Sequence, residues 1–336
     1  MNFTNSSEFV NREFSASFTY LWKYGGMPVM IISLVGNSLS LTVILWSKKL
    51  RSQPPSMYLI GLSILGICIG GVVMIHPILW FWEAGSPMDV LRDSNDWACK
   101  LHTYFTYLLV QYYAALQATI AVDRCLIVII PLRYRLLVSK AKTLIIMLVE
   151  FCVLACWNGV YIRILHINPQ GFCTSQPKYR GLLMNVVITM DLIFAALLPG
   201  AVMLVCYIII IITYSRRRFT SRNRQQRSKL RSVFVVLNAV FLATSVPIAI
   251  YGYFPPKNGA IVDQIEWVFH ILNLNAFIGI AFSFLLYCIT GSVFRNQLIK
   301  LFTCLERTPI ASQNKSIGLK ASGTQITGLA SVSHIA

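Results

Sequence analysis

Charge is what this chain of 336 residues has least of. Only 12% of its side chains are charged, and Asp and Glu together number 12 against 29 Lys and Arg. That is about half the charged share of an ordinary soluble domain, too little to clothe a water-facing surface of this size. Also missing are the alternating ten-residue segments of a membrane barrel, which leaves helices as the spanning element. There is no His-Glu-x-x-His motif and no paired-Asp motif, and His76, His166 and His270 stand apart near one membrane face. With no nucleophile–base pair or metal cluster, neither catalysis nor a metal or cofactor is expected. No two halves of the chain match and few ionisable groups fall deep within apolar blocks, so the marks of a transporter are absent. The first 26 residues contain no continuous apolar stretch, so no signal peptide is expected and the first span directs its own insertion.

What the chain has is apolar length. Hydrophobic residues make up 56% and the mean hydropathy is +0.64. They come in blocks of 18 or more, each long enough to cross a ~30 Å hydrocarbon core as a helix. Spans are read at 27–47, 56–82, 99–130, 142–166, 181–214, 229–253 and 264–288. The expected fold is all-α, a seven-transmembrane helix bundle over 27–290, with a tail at 1–26 on the outer side. Residues 291–303 place Phe294, Leu298, Leu301 and Phe302 on one face beside Arg295 and Lys300, as a short amphipathic helix on the inner leaflet would. The Ser-, Thr- and Gly-rich stretch 304–336 reads as a disordered cytoplasmic tail.

The net charge of +17 is placed for a membrane, not for nucleic acid. Lys48, Lys49 and Arg51 follow span 1. Arg133, Arg135, Lys140 and Lys142 follow span 3. Arg216, Arg217, Arg218, Arg222, Arg224, Arg227, Lys229 and Arg231 follow span 5. The other joints carry Glu83, Asp89, Asp93, Asp96, Asp263 and Glu266. Positive-inside then sets the N-terminus outside the plasma membrane and the C-terminus in the cytoplasm. Sequons at Asn2 and Asn5 suit glycosylation on that outer side, whereas Asn314 falls in the inner tail. Of nine cysteines, Cys99 and Cys173 alone lie at or beyond the outer face. An oxidising exterior predicts their disulfide, two thiols being the alternative. Cys304, just past the amphipathic helix, is a candidate for palmitoylation, an idle thiol being the alternative.

Several positions carry a family resemblance. Gly36-Asn37 stands mid-span 1. Cys99 opens span 3 and Asp123-Arg124-Cys125 closes it, followed by Pro131-Leu132-Arg133-Tyr134. Trp157 lies in span 4, Cys173 in the next outer loop, Pro199 and Tyr207 in span 5, Phe241 and Pro247 in span 6, Tyr287 at the end of span 7, and Phe294-Arg295 after it. Over about 25–305 the chain resembles the rhodopsin-like (class A) G-protein-coupled receptors, and more loosely invertebrate neuropeptide receptors. The resemblance implies an extracellular ligand and, inside, a heterotrimeric G protein and arrestin as partners. Asp123 would neutralise Arg124 in the closed bundle. Arg124 would meet the G protein in the open one, and Tyr207 and Tyr287 would hold that open state. Pro199 and Pro247 permit bending. The plainer alternative is that Asp123 and Arg124 only snorkel at the interface.

The chain departs from that family where an ion and a switch are usual. Gly66 stands where a sodium-binding aspartate is common, Tyr113 in place of a small Ser, Ser245 in place of a switch Trp, and Ser283-Phe284-Leu285-Leu286-Tyr287 in place of Asn-Pro-x-x-Tyr. The inner end of span 6 carries Arg227 and Lys229, not an acid facing Arg124. Thr106 occupies the position of the amine-binding aspartate. Candidates to line an outer pocket are His76, Trp80, Thr106, Tyr107, Gln111, Asp191, Ser245, Phe269, His270 and Asn273. Asp191, an acid within a span, is either a ligand group or one half of a structural pair with Arg163. Aromatic groups, acids at the rim and a tethered loop suit a peptide ligand. The alternative reading is a receptor-like scavenger or chaperone that has lost signalling.

Overall fold

The computed structural model describes residues 20–52, 56–82, 91–182, 186–216, 239–251, 262–282, 284 and 292–306. They form a helix bundle. Among the described residues, five helices are long and apolar enough to cross a membrane: α1 (Leu21–Trp46), α2 (Ser56–Leu79), α3 (Asp96–Ile129), α4 (Lys140–Ile164) and α5 (Ile188–Thr213). Two shorter helices follow, α6 (Ala239–Tyr251) and α7 (Val262–Ala281), and then α8 (Ser292–Glu306). Asn2, Asn5, Glu83, Asp89, Arg227, Lys229 and Tyr287 lie outside the described residues, as do the side chains of Trp80 and Cys304.

Helix starts follow local chemistry. Asn95 caps α3 by accepting from the Ala98 N–H at 2.9 Å, and Ser139 caps α4 by accepting from the Lys142 N–H at 3.3 Å. At 34 residues, α3 is roughly 50 Å long, well beyond the hydrocarbon thickness. It is the bundle's axis, packing against α2, α4 and α5. Its buried side chains join two cores, one with α1, α2, α4 and α7 and the other with α5 and α6.

Among the described residues, three complete wide turns, each with one extra residue, stand just ahead of a proline. The wide turns are Leu21–Gly26 before Pro28, Ile69–Val73 before Pro77 and Ile193–Leu197 before Pro199. A proline lacks the N–H and its ring crowds the carbonyl four residues back, here Tyr24, Val73 and Ala195. The chain answers with five-residue bonds: Met27 N–H to Trp22 O, Met74 N–H to Ile69 O, and Leu198 N–H to Ile193 O. The first of these also corrects a boundary. Residues 21–26 are helical and belong to the bundle, not to the preceding tail, because Trp22 is wholly buried and donates its indole N–H to His270 Nδ1 of α7 at 3.2 Å.

Span 4 ends at Ile164, and the all-α expectation missed what comes next. Leu165–Ile167 (β1) and Cys173–Ser175 (β2) form an antiparallel ribbon in the register Leu165–Ser175, His166–Thr174 and Ile167–Cys173. Its turn needs Gly171, whose φ is 87°. On the inner side, Phe294 and Leu301 of α8 are buried against Val43 and Ile44 of α1, and Phe284 meets Phe294 edge-on.

The missing span-2 aspartate has a structural counterpart. A Cβ on Gly66 would run into the Asn37 amide, while the Ser33 hydroxyl donates to the Gly66 carbonyl at 3.0 Å. Asn37 therefore takes the room that a side chain at 66 would use, and donates to the Ser33 carbonyl at 2.8 Å. Replacing Gly66 with Ala is expected to cost about 1–3 kcal/mol by overpacking, read as a lower thermal midpoint of the purified protein. An unchanged midpoint would mean that Asn37 relaxes at no cost.

Candidate functional site

The bundle has a cavity of about 590 Å3 between α2, α3, α5, α6 and α7. Every candidate whose side chain the structure describes lines it: His76, Thr106, Tyr107, Gln111, Asp191, Ser245, Phe269, His270 and Asn273. Its inner end is reached by Phe241, one of the positions that carry the family resemblance, and its outer end by Arg92. A volume of this order fits a small ligand or the end of a larger one. The Thr106 hydroxyl oxygen is buried in this wall and has no hydrogen-bond partner among the described residues. His76 stacks on His102, with ring centroids 4.8 Å apart; His102 escaped the sequence reading because one turn of helix separates it from the residues that did not.

One wall is a chain of polar side chains from three helices. Gln111 of α3 donates to Asp191 Oδ1 of α5 at 2.7 Å, and Tyr161 of α4 donates its hydroxyl to Asp191 Oδ2. Asn158 of α4 donates to Gln111 Oε1 at 2.8 Å. Tyr107 stacks on Tyr161 with centroids 4.5 Å apart. Of the two alternatives for Asp191, the structural pair with Arg163 is not formed: Arg163 is exposed, and the carboxylate is held by Gln111 and Tyr161 instead. Sequence reading also passed over Glu150, an intramembrane acid of α4 that accepts from the Thr119 hydroxyl of α3.

The ribbon closes over the outer end of α3 through three ties. The Cys99–Cys173 disulfide is present, with Cα atoms 5.5 Å apart. Asp93 Oδ1 accepts from the Cys173 N–H at 3.1 Å, and Asp96 Oδ1 accepts from the Ile167 N–H at 3.1 Å. Asp93 is buried and also meets Arg92 Nε at 3.1 Å, while Asp96 pairs with Lys100. These two acids of the outer joint thus hold the loop.

At the inner end of α3, Asp123 is buried. It accepts from the Tyr134 hydroxyl at 2.7 Å through Oδ1, and Arg124 Nε lies 3.9 Å from its Oδ2. Tyr134 sits on the short helix Pro131–Leu137. Burial first, then the Asp123 carboxylate, raises its phenol pKa, so it stays a donor. Phe241 is buried among Ala114, Ala118 and Met203, joining α6 to α3 and α5. Tyr207 of α5 is half-buried, and Pro247 lies in the outer part of α6.

A profile described as 7 transmembrane receptor (rhodopsin family) matches residues 36–309, more than half of the chain. Among curated proteins, cysteinyl leukotriene receptor 1 of Sus scrofa is 21% identical over 65% of this chain and 64% of its own length. Galanin receptor 2b of Danio rerio is 21% identical over 82% of this chain and 73% of its own length. C-X-C chemokine receptor type 1 of Rattus norvegicus is 25% identical over 86% and 82%.

Proposed function

The chain belongs to the rhodopsin family of seven-transmembrane receptors, and on that premise we propose that it carries a peptide signal from outside the cell to a heterotrimeric G protein inside. The observation that carries this reading is the continuity of α3. One helix presents Thr106, Tyr107 and Gln111 to the cavity and Asp123 and Arg124 at its other end. A ligand that favours one arrangement of the cavity wall therefore biases the inner end of the same rigid element. The basic joints at Lys48–Arg51 and Arg133–Lys142 support an inside placement of Arg124.

The ribbon supports a peptide over a fully enclosed ligand, because the loop is pinned at the start of α3 by the disulfide and both rim acids. Relatives named for galanin and for chemokines point to peptides, and one named for cysteinyl leukotrienes points to a lipid. The rival reading, a receptor-like scavenger without signalling, draws on Gly66 and Ser245. The deciding experiment is nucleotide exchange on a panel of G proteins, with the receptor in lipid discs, across a peptide library. Peptide-dependent exchange is the expected result. Saturable peptide uptake with no exchange on any G protein would favour the scavenger, and flux in sealed vesicles would favour a transporter.

A further inference from the structure

The described partners of the Asp191 carboxylate are both uncharged, the Gln111 amide and the Tyr161 hydroxyl. Each is fixed from behind. Gln111 is held by Asn158, which is itself anchored to the Leu154 carbonyl at 2.8 Å, and Tyr161 is held by its stack on Tyr107. Neutral donors orient a carboxylate but leave its charge uncompensated. Arg163, the basic residue considered as its partner, is exposed, and Arg92 at the outer end of the cavity lies against Asp93 at 3.1 Å. Among the described residues, no ion pair involves Asp191. Yet the group lines the wall of a cavity of about 590 Å3 whose surface is otherwise mostly apolar. A carboxylate kept in such a place wants a cation.

We propose that the countercharge of Asp191 arrives with the ligand: the cavity selects a molecule bearing a protonated amine or a guanidinium, which docks on Asp191 while an aromatic or aliphatic body packs against Phe269, Phe277 and Ile280. This rests on the cavity being the ligand site. Asp191 lines the cavity and each of its oxygens has one described partner, while each oxygen of an ionised carboxylate accepts more than one hydrogen bond. Gln111 and Tyr161 stay in place, and the cation takes the remaining lone pairs. The buried Thr106 oxygen on the same cavity wall gives the ligand a second polar contact. A neutral or acidic lipid would leave Asp191 as it found it, which sets this chain apart from a lipid receptor.

The test uses the full chain in lipid discs and two sets of matched probes. The first is a library of short C-terminally amidated aromatic peptides, each made with arginine and with citrulline, its uncharged near-isostere. The second pairs arylalkyl amines with the corresponding alcohols. Binding is read as a dose-dependent rise in thermal midpoint. The cationic form is expected to bind about 100-fold more tightly than its neutral twin, the size usual for one partner of a buried charge pair. Asp191→Asn should bring the two forms to within about threefold. Should that variant fail to fold, the arginine–citrulline ratio on the unaltered protein still decides. Preference for peptides or for small amines identifies the source of the cation, and either supports the proposal. Equal binding of charged and neutral twins, stabilisation by neutral lipids alone, or no stabilisation at millimolar probe overturns it. Nucleotide exchange in the same discs separates the two readings. Cation-dependent binding without exchange refutes the receptor proposal and not this one, and exchange driven by a citrulline-indifferent peptide does the reverse.

Discussion

Replacing Arg124 with Ala should leave surface density and cavity binding intact and remove stimulated nucleotide exchange. The fold does not depend on this side chain. Arg124 is partly exposed at the inner end of α3, and its Nε stands 3.9 Å from Asp123 Oδ2. An ion pair of that length beside solvent contributes about 1 kcal/mol or less. Asp123 keeps its closer bond, to the Tyr134 hydroxyl at 2.7 Å, when Arg124 is gone. What is lost is a planar cation with five fixed donors at the inner mouth of the bundle. Two charge-assisted hydrogen bonds to an incoming partner, at roughly 1.5–3 kcal/mol each, correspond to at least two orders of magnitude in productive complex. Exchange measured at matched receptor density should therefore fall to the level of membranes without receptor. Undiminished exchange would mean that Asp123 and Arg124 serve only as an interfacial anchor.

Breaking the disulfide should have the second largest effect, and on stability instead of coupling. Cys99 and Cys173 are 74 positions apart in sequence. The chain-entropy relation gives about 4 kcal/mol for a loop of that size. Membrane insertion already restrains α3 and the helices that flank the ribbon, so the expected loss is nearer ~2–4 kcal/mol. Cys173→Ser should lower the thermal midpoint and reduce surface density several-fold. Asp93→Asn and Asp96→Asn each weaken one backbone tie to the same ribbon, and each should cost less, about 1 kcal/mol. If the cysteine variant matches the aspartate variants, the ribbon is held mainly by its hydrogen bonds.

The spans, their order and the outer disulfide pair were legible because each rests on composition or compartment, which are one-dimensional properties. Partnerships were less so. The alternative that paired Asp191 with Arg163 rested on charge alone, although Arg163 and Tyr161 lie two residues apart on one helix, roughly 200° around its axis, and cannot both face α5. The available signal was Asn158 with Tyr161, spaced three apart on one face and both buried. The ties made by Asp93 and Asp96 were not legible, because an acid in an outer joint looks the same whether it faces solvent or accepts backbone N–H groups from a loop. The ribbon itself was missed, its strands being three residues each, below what alternation can reveal. Residues 21–26 were left outside the first span because Lys23, Tyr24 and two glycines dilute the apolar signal, while the anchor, Trp22, finds its partner in α7. Glu150 went unremarked among apolar neighbours, though the rule that singled out Asp191 applies to it equally.

The proline-linked wide turns bear on how such a chain can be compared with its relatives. One surplus residue in a turn is a phase slip. Everything on its outer side is rotated by about 100° from where an even helix would carry it. Asp191 stands just outside the slip at Ile193–Leu197, and His76 just outside the one at Ile69–Val73. Their aim into the cavity is therefore set by a defect several residues away. An ungapped match anchored on Pro199 will pair Asp191 with the wrong residue of any relative whose fifth helix is regular. Removing Leu197, which does not line the cavity, would swing the carboxylate off Gln111 and out of the wall without altering one side chain of the site.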